Sequence, residues 1–188
     1  MNHLGTAVLE TERLILRPFK VSDAKDMYNN WASSDHVTQF LTWPVHESVE
    51  ASKMLLDTWV QNNDDPRNYQ WCIEYKENNQ AIGSMGVVDL EEAIQAVEIG
   101  YCIGESYWHK GITSEALRAV IQFMFEKVGC NRIAARHDVN NPNSGKVMKK
   151  AGLLYEGTLL QAGKNNVGIC DLAVLAITRT MYFAKTQE

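Results

Sequence analysis

Tyr107-Trp108-His109-Lys110-Gly111-Ile112-Thr113-Ser114-Glu115-Ala116-Leu117 is the stretch whose reading decides the fold. A β-type run, Ala96 to Ile103, leads into it. The residues that follow, Leu117, Val120, Ile121, Met124, Phe125 and Val128, recur at helical spacing and predict an amphipathic helix, with Gly129 as its stop signal. Thr113 and Ser114 are good N-cap types for that helix. Gly111 has no Cβ, so the backbone there can take a conformation, or approach a ligand, that is closed to other residues. The opening amides of a helix are unpaired donors at the positive end of its dipole, an arrangement that suits phosphate. Neither GxxxxGK[ST] nor GxGxxG occurs in this region, which sets two familiar phosphate loops aside.

On the C-terminal side, Arg132 to Val139 reads as a strand and Asn141-Pro142 starts a short helix, Asn being a strong N-cap and Pro fitting the first helical position. Val147, Met148 and Ala151 form its apolar side, Gly152 stops it, and Lys146, Lys149 and Lys150 face outward. Leu153 to Leu160 and Ile169 to Ile177 predict two closing strands joined by a Gly- and Asn-rich loop, Gly163 to Gly168. On the N-terminal side, Tyr69 to Tyr75 and Ala81 to Val88 predict a hairpin around the polar turn Glu77 to Gln80. Asp89, Glu91 and Glu92 fall in the connection after it. Glu12 to Pro18 predicts an opening strand, with Leu14 and Leu16 on one face. Ser22 and Asp23 cap a helix through about Ala32, His36 to Val45 is irregular and aromatic-rich, and Ser48 to Val60 predicts a helix. Ala51, Met54, Leu55 and Trp59 stand at core spacing on that last helix. Periodicity alone gives an α/β or α+β protein with a mixed sheet.

Composition narrows the function classes. A chain of 188 residues with 45% hydrophobic content is expected to form one domain with a substantial core. The net charge of −5 provides no field for nucleic acid and mildly favours cationic partners such as amines. Met1 to Thr11 lacks the layout of a secretory signal, and no apolar stretch reaches the length of a membrane span, so no membrane partner is expected. The four cysteines, Cys72, Cys102, Cys130 and Cys170, form no CxxC pair and read as reduced thiols of a cytoplasmic protein. The five histidines show no ligand spacing, so no metal is expected.

Two longer phrases carry a family resemblance. "EIGYCIGESYWHKGITSEAL" (residues 98–117) is close to "xIGYxxxxxYWGKGxxxEAL", and "TERLILRPF" (residues 11–19) resembles the first strand of the same group. That group is the ribosomal-protein N-terminal (alanine/serine) acetyltransferase subgroup of the GNAT superfamily of N-acetyltransferases. The superfamily's general loop pattern, [QR]xxGx[GA], is matched at Gly111 but carries Trp108 and Thr113 at its other defined positions. The order β-α-α-β-β-β-α-β-α-β-β is also the one that fold uses. The resemblance implies a mixed, centrally splayed sheet flanked by helices, with acetyl-CoA entering the split and giving its acetyl group to a primary amine by direct attack in a ternary complex.

The same resemblance implies the site. The backbone amides of His109, Lys110, Gly111, Ile112, Thr113 and Ser114 would hold the cofactor's phosphates, with Lys110 adding charge. A bulged strand near Tyr101 to Ile103 would hold pantetheine, with the Cys102 or Ile103 amide facing the thioester carbonyl. In Asn141-Pro142-Asn143-Ser144, Asn141 would bond pantetheine and Ser144 would stand near the sulfur as proton donor. Simple capping by Asn141 and an inert first-turn hydroxyl at Ser144 are the plainer readings, and Tyr101 or Tyr107 are alternative acids. Lys146 and Lys149 would reach the ribose phosphate. Glu98 is the first choice of base and Asp171, near the acceptor amine, the second. Phe40 and Trp43, together with Gly163 to Gly168, would shape the acceptor pocket, or the two aromatics would simply cover the core. No cysteine sits in a nucleophile motif. The acceptor stays open between a protein N-terminus and a small amine, beside a CoA-binding module without turnover. Edge strands near the C-terminus leave a homodimer open.

Overall fold

The computed structural model describes residues 1–185. Eight strands form one sheet: β1 (Leu9–Glu10), β2 (Leu14–Pro18), β3 (Gln70–Tyr75), β4 (Gln80–Glu91), β5 (Ala96–Ile103), β6 (Arg132–Asp138), β7 (Leu154–Asn165) and β8 (Gly168–Thr178). Their spatial order is β1-β2-β3-β4-β5-β6-β8-β7, and every neighbouring pair is antiparallel except β5 with β6. A parallel pair requires a crossover, and the central helix, Ile112–Phe123, supplies it. The β5–β6 ladder pairs Ala96, Val97 and Glu98 with Arg132, Ile133 and Ala134, and beyond Glu98 the strands part. This is the mixed, centrally splayed α/β sheet expected from the resemblance.

Alternation along β5 sorts the two faces. Val97, Ile99 and Ile103 join the larger core with Leu117, Val120, Ile121 and Met124 of the crossover. Cys102 faces the other way, into a second core with Phe19, Trp31, Leu56 and Cys72, beneath helices α1 (Ala24–Met27) and α3 (Val49–Gln61). The crossover helix, α4, continues into a π-turn, Met124–Val128, and ends at Gly129 in the left-handed region, as its stop signal required. Among the described residues, no helix is long and apolar enough to cross a membrane.

Four expectations need correction. In α3 the Ser48 hydroxyl does cap, accepting from the Ala51 amide at 3.1 Å, but Met54 is 72% exposed and the helix buries Ser52 and Leu56 instead. Ser52 tolerates burial because its hydroxyl meets His46 Nδ1 at 2.7 Å. Asp89 and Glu91 lie within β4 rather than in a connection, since Val88 bulges out between the pairs Val87–Ile99 and Asp89–Glu98 and the ladder resumes. The expected loop Gly163 to Gly168 is mostly strand, closed by a turn at Asn166-Val167. Gly163 pairs with Cys170 in the ladder, and a Cβ there would come 2.9 Å from the Leu172 side chain. Finally, β1, a one-turn helix α2 (Asp35–Thr38) and a C-terminal helix after β8 (Arg179–Lys185) add to the expected order. These pieces are too short to show periodicity.

Candidate functional site

Where β5 and β6 part, a cleft of about 350 Å3 opens. Its walls are the end of β5, the loop into α4, and the first turns of α5 (Pro142–Lys150); α2 with Phe40 and Leu41 closes the far side. The split has a direct backbone consequence. β4 pairs with β5 as far as Ile103, but past Glu98 the opposite edge of β5 has no strand partner and faces the cleft. The bulge expected near Tyr101 to Ile103 lies instead on β4, at Val88.

The N-cap of α4 is Gly111, with φ of 75°, and not Thr113 or Ser114, which are buried in its first turn. The chain leaves β5, turns through left-handed conformations at His109 (φ 60°) and Gly111, and becomes helical two residues earlier than the hydroxyl residues suggest. No side chain caps the helix, and Gly111, Ile112, Thr113 and Ser114 line the cleft. The start of α4 therefore presents uncapped amides to an open cavity. His109 also lines the cleft, whereas the Lys110 ammonium lies 5.7 Å over the Tyr107 ring. Trp108 anchors the loop by donating from Nε1 to the Ile103 carbonyl at 2.9 Å.

A second anchor joins Thr11, Arg13 and Glu115, all three of which stand in the quoted phrases. Glu115 accepts from the Thr11 hydroxyl (2.6 Å), the Arg13 amide (3.0 Å) and Arg13 Nε (2.7 Å), while Arg13 Nη1 donates to the Lys110 carbonyl at 2.9 Å. Burial pushes the Glu115 carboxyl up, but these donors outweigh it and hold the group below the usual carboxylate range. A depressed folded-state pKa contributes stability that is present above the unfolded value and lost as pH falls through the folded one. The stability gap between the wild type and Glu115→Gln should accordingly shrink as pH drops below the ordinary carboxylate range. Denaturation curves across acidic pH measure this; a gap constant with pH would contradict it.

The start of α5 is as read from Asn141-Pro142. The Asn141 side chain accepts from the Ser144 amide at 3.4 Å and Pro142 occupies the first turn. Across the split, the Tyr101 hydroxyl lies 3.0 Å from both the carbonyl and the Oγ of Ser144, stitching β5 to α5. Burial pushes the Tyr101 phenol up, with the Ser144 contact acting in the other direction. Asn141, Ser144, Lys146, Tyr101, Cys102 and Ile103 all line the cleft. Lys150 lines it in place of Lys149, and Lys146 Nζ donates to Asn143 Oδ1 at 3.3 Å.

Of the remaining candidates, one reaches the cleft. Phe40 lines the cleft, whereas Trp43 packs on the second core with its ring 5.3 Å from that of His46. Glu98 stands at the fork on the face away from α4, with its carboxylate taken by Arg136, whose Nε donates at 2.7 Å. Asp171 accepts from the Gln161 amide at 2.7 Å, bracing an irregularity in β7 where Gln161 has a φ of 49°. Cys102 is pushed up to about 11 by burial, against hydrogen bonds from Ser84, and Cys130 to about 12 by burial, which keeps both thiols protonated at neutral pH. Among the described residues, no group of three or more His, Cys, Asp or Glu could hold a metal ion.

Comparison with known proteins places this geometry. Residues 13–154 match the family described as "Acetyltransferase (GNAT) domain". An uncharacterized N-acetyltransferase, YoaA of Bacillus subtilis, is 31% identical over 172 residues, covering 92% of this chain and 97% of that protein. The ribosomal-protein-serine acetyltransferase of Escherichia coli is 31% identical over 140 residues, covering 73% and 76% of the two chains. Among solved structures, the ribosomal-protein-S5-alanine acetyltransferase of Vibrio fischeri superposes with a TM-score of 0.81 at 22% identity, covering 92% of this chain and 97% of that one, and so shares its fold. A parallel strand pair that splits over the uncapped start of a crossover helix, carried on a sequence of this similarity, identifies the chain as a member of the GNAT acetyltransferase family, whose acyl donor is acetyl-CoA.

Proposed function

We propose that this acetyltransferase acylates a primary amine, with the N-terminus of a protein, ribosomal proteins among them, as the acceptor class. The observation that carries the reading is the cleft itself. It runs from uncapped helix amides suited to pyrophosphate, along an unpaired strand edge suited to the pantetheine amides, to a wall that includes Phe40. The protein-directed acceptor is supported by similarity to the Escherichia coli ribosomal-protein-serine acetyltransferase.

The residues divide the work as follows. Amides from His109 to Ser114 hold the phosphates, and Lys146 and Lys150 add positive charge beside them. Asn141 keeps the first turn of α5 in place and meets the pantetheine arm. Bound acetyl-CoA supplies the acetyl thioester, and the Cys102 or Ile103 amide polarises its carbonyl oxygen. The Ser144 hydroxyl, fixed by the Tyr101 hydroxyl at 3.0 Å, would give its proton to the departing thiolate. Glu98, at the fork and paired with Arg136, is the assigned base for the incoming ammonium, through a water that links it to the cleft.

Calorimetry with acetyl-CoA, followed by thiol-release assays on peptides with free alanine or serine N-termini and on polyamines, tests this reading. Ser144→Ala should lower kcat about a hundredfold while leaving the acetyl-CoA Kd unchanged. Turnover of polyamines alone would move the acceptor to small amines. Failure to bind acetyl-CoA would overturn the site.

A further inference from the structure

The tip of the β7–β8 hairpin carries two consecutive asparagines whose side chains bond in opposite directions. Asn165 is buried and turned inward: its Nδ2 donates to Asp138 at 2.7 Å, and its Oδ1 accepts from the Val167 and Gly168 amides at 2.9 and 3.2 Å. Asp138 ends β6 and accepts from the Asn140 amide at 2.8 Å, so the turn is locked to the segment that leads into α5. Asn166 points the other way. Its Nδ2 donates to the Thr38 carbonyl at 2.9 Å and the Trp43 carbonyl at 2.7 Å, and its backbone amide donates to the Leu41 carbonyl at 3.2 Å.

These three carbonyls belong to the last residue of α2 and the irregular segment after it, whose Phe40 and Leu41 form the far wall of the cleft. The segment has few backbone bonds of its own: the Leu41 amide donates to Thr38 at 2.8 Å and the His46 amide to Ala32 at 2.8 Å. One residue from a strand turn more than a hundred positions later thus satisfies the Leu41 and Trp43 carbonyls, which a loop of this kind otherwise leaves to water, and adds a second donor to the Thr38 carbonyl.

We infer that Asn166 is a positioning residue for the acceptor, holding Phe40 and Leu41 in the shape against which the amine-bearing substrate docks. The Asp138–Asn165 contact ties that wall to the start of α5, so the acceptor side and the cofactor side of the cleft share one bracket. This inference rests on the acetyl-transfer reading of the cleft. Without the side-chain donors of Asn166, the segment loosens and an acceptor must order it on binding, a cost that falls on acceptor KM and not on acetyl-CoA.

The test compares Asn166→Ala and Asn166→Asp with the wild type in three measurements: acetyl-CoA calorimetry, steady-state kinetics with alanyl and seryl N-terminal hexapeptides, and hydrogen exchange at the Leu41 and His46 amides. Asn166→Ala should raise acceptor KM about tenfold with the acetyl-CoA Kd unchanged and exchange at both amides faster. Asn166→Asp, though nearly isosteric, should be worse than alanine because it turns a carboxylate toward two carbonyl oxygens. A role in filling space alone predicts the opposite ranking. An active wild type with acceptor KM and exchange unmoved in both variants would overturn the inference and leave the acetyl-transfer reading intact. A wild type that binds no acetyl-CoA would overturn that reading and the acceptor role with it.

Discussion

Gly111→Val should weaken acetyl-CoA binding by more than about a hundredfold, on the order of 2.7 kcal/mol, while the protein stays folded. Gly111 has a φ of 75° at the N-cap of α4, and for a residue with a Cβ the left-handed region costs roughly 1–2 kcal/mol, with a β-branched side chain fitting worst. A Cβ at Gly111 would meet nothing nearer than Arg13 Nη2 at 3.8 Å, so the damage is not a clash inside the protein. Two effects remain, and both fall on the ligand. The loop rotates to relieve the strain and takes the first amides of α4 out of line, and the new methyls add bulk at a residue that lines the cleft. Gly111→Ala should show the same effect at smaller size. Calorimetry with acetyl-CoA and a melting curve separate the contributions: binding lost with little change in Tm is the expected pattern. Normal binding by the valine variant would show that this turn is not the phosphate site.

The strand-loop-helix unit at the centre of that prediction was legible because its determinants are local. Hydrophobic spacing changes from the alternation of Ala96 to Ile103 to the helical repeat of Leu117 to Val128, and all six predicted apolar positions of the crossover are buried. Asn141-Pro142 likewise states its own cap. The hydroxyls of Thr113 and Ser114 misled because cap preference is statistical, whereas the route of the chain out of β5 fixed the turn at Gly111. Met54 misled for a related reason. Apolar spacing on α3 fits more than one face, and burial went to the face on which Ser52 finds His46. The wall of the cleft around Phe40 was the least legible part. Asn166 meets Thr38 and Trp43 across more than a hundred residues, and no single segment records such a contact. Glu98 and Asp171 were readable as acidic strand residues, but their partners, Arg136 and the Gln161 amide, come from strand register and a bulge in β7.

The largest stability effect is expected at Arg17, in the opening strand. Its guanidinium forks onto Asp23, with Nη1 and Nη2 donating at 2.8 and 2.9 Å, and Nε donates to Glu74 at 2.5 Å. The three side chains are only 12%, 8% and 15% exposed, so two carboxylates share one nearly buried cation. Asp23 also accepts from the Lys20 amide at 2.8 Å, which starts the helical segment toward α1. Removing the cation leaves both acids desolvated and facing each other across the gap, and breaking a buried pair in this way costs about 3–5 kcal/mol. Arg17→Ala should therefore lose that much in urea denaturation at neutral pH. Arg17→Met combined with Asp23→Leu should recover part of the loss, because apolar groups of similar volume leave fewer charges unpaired. A cost below about 1 kcal/mol for Arg17→Ala, the range of an exposed ion pair, would mean that water reaches the cluster and that the strand does not depend on it.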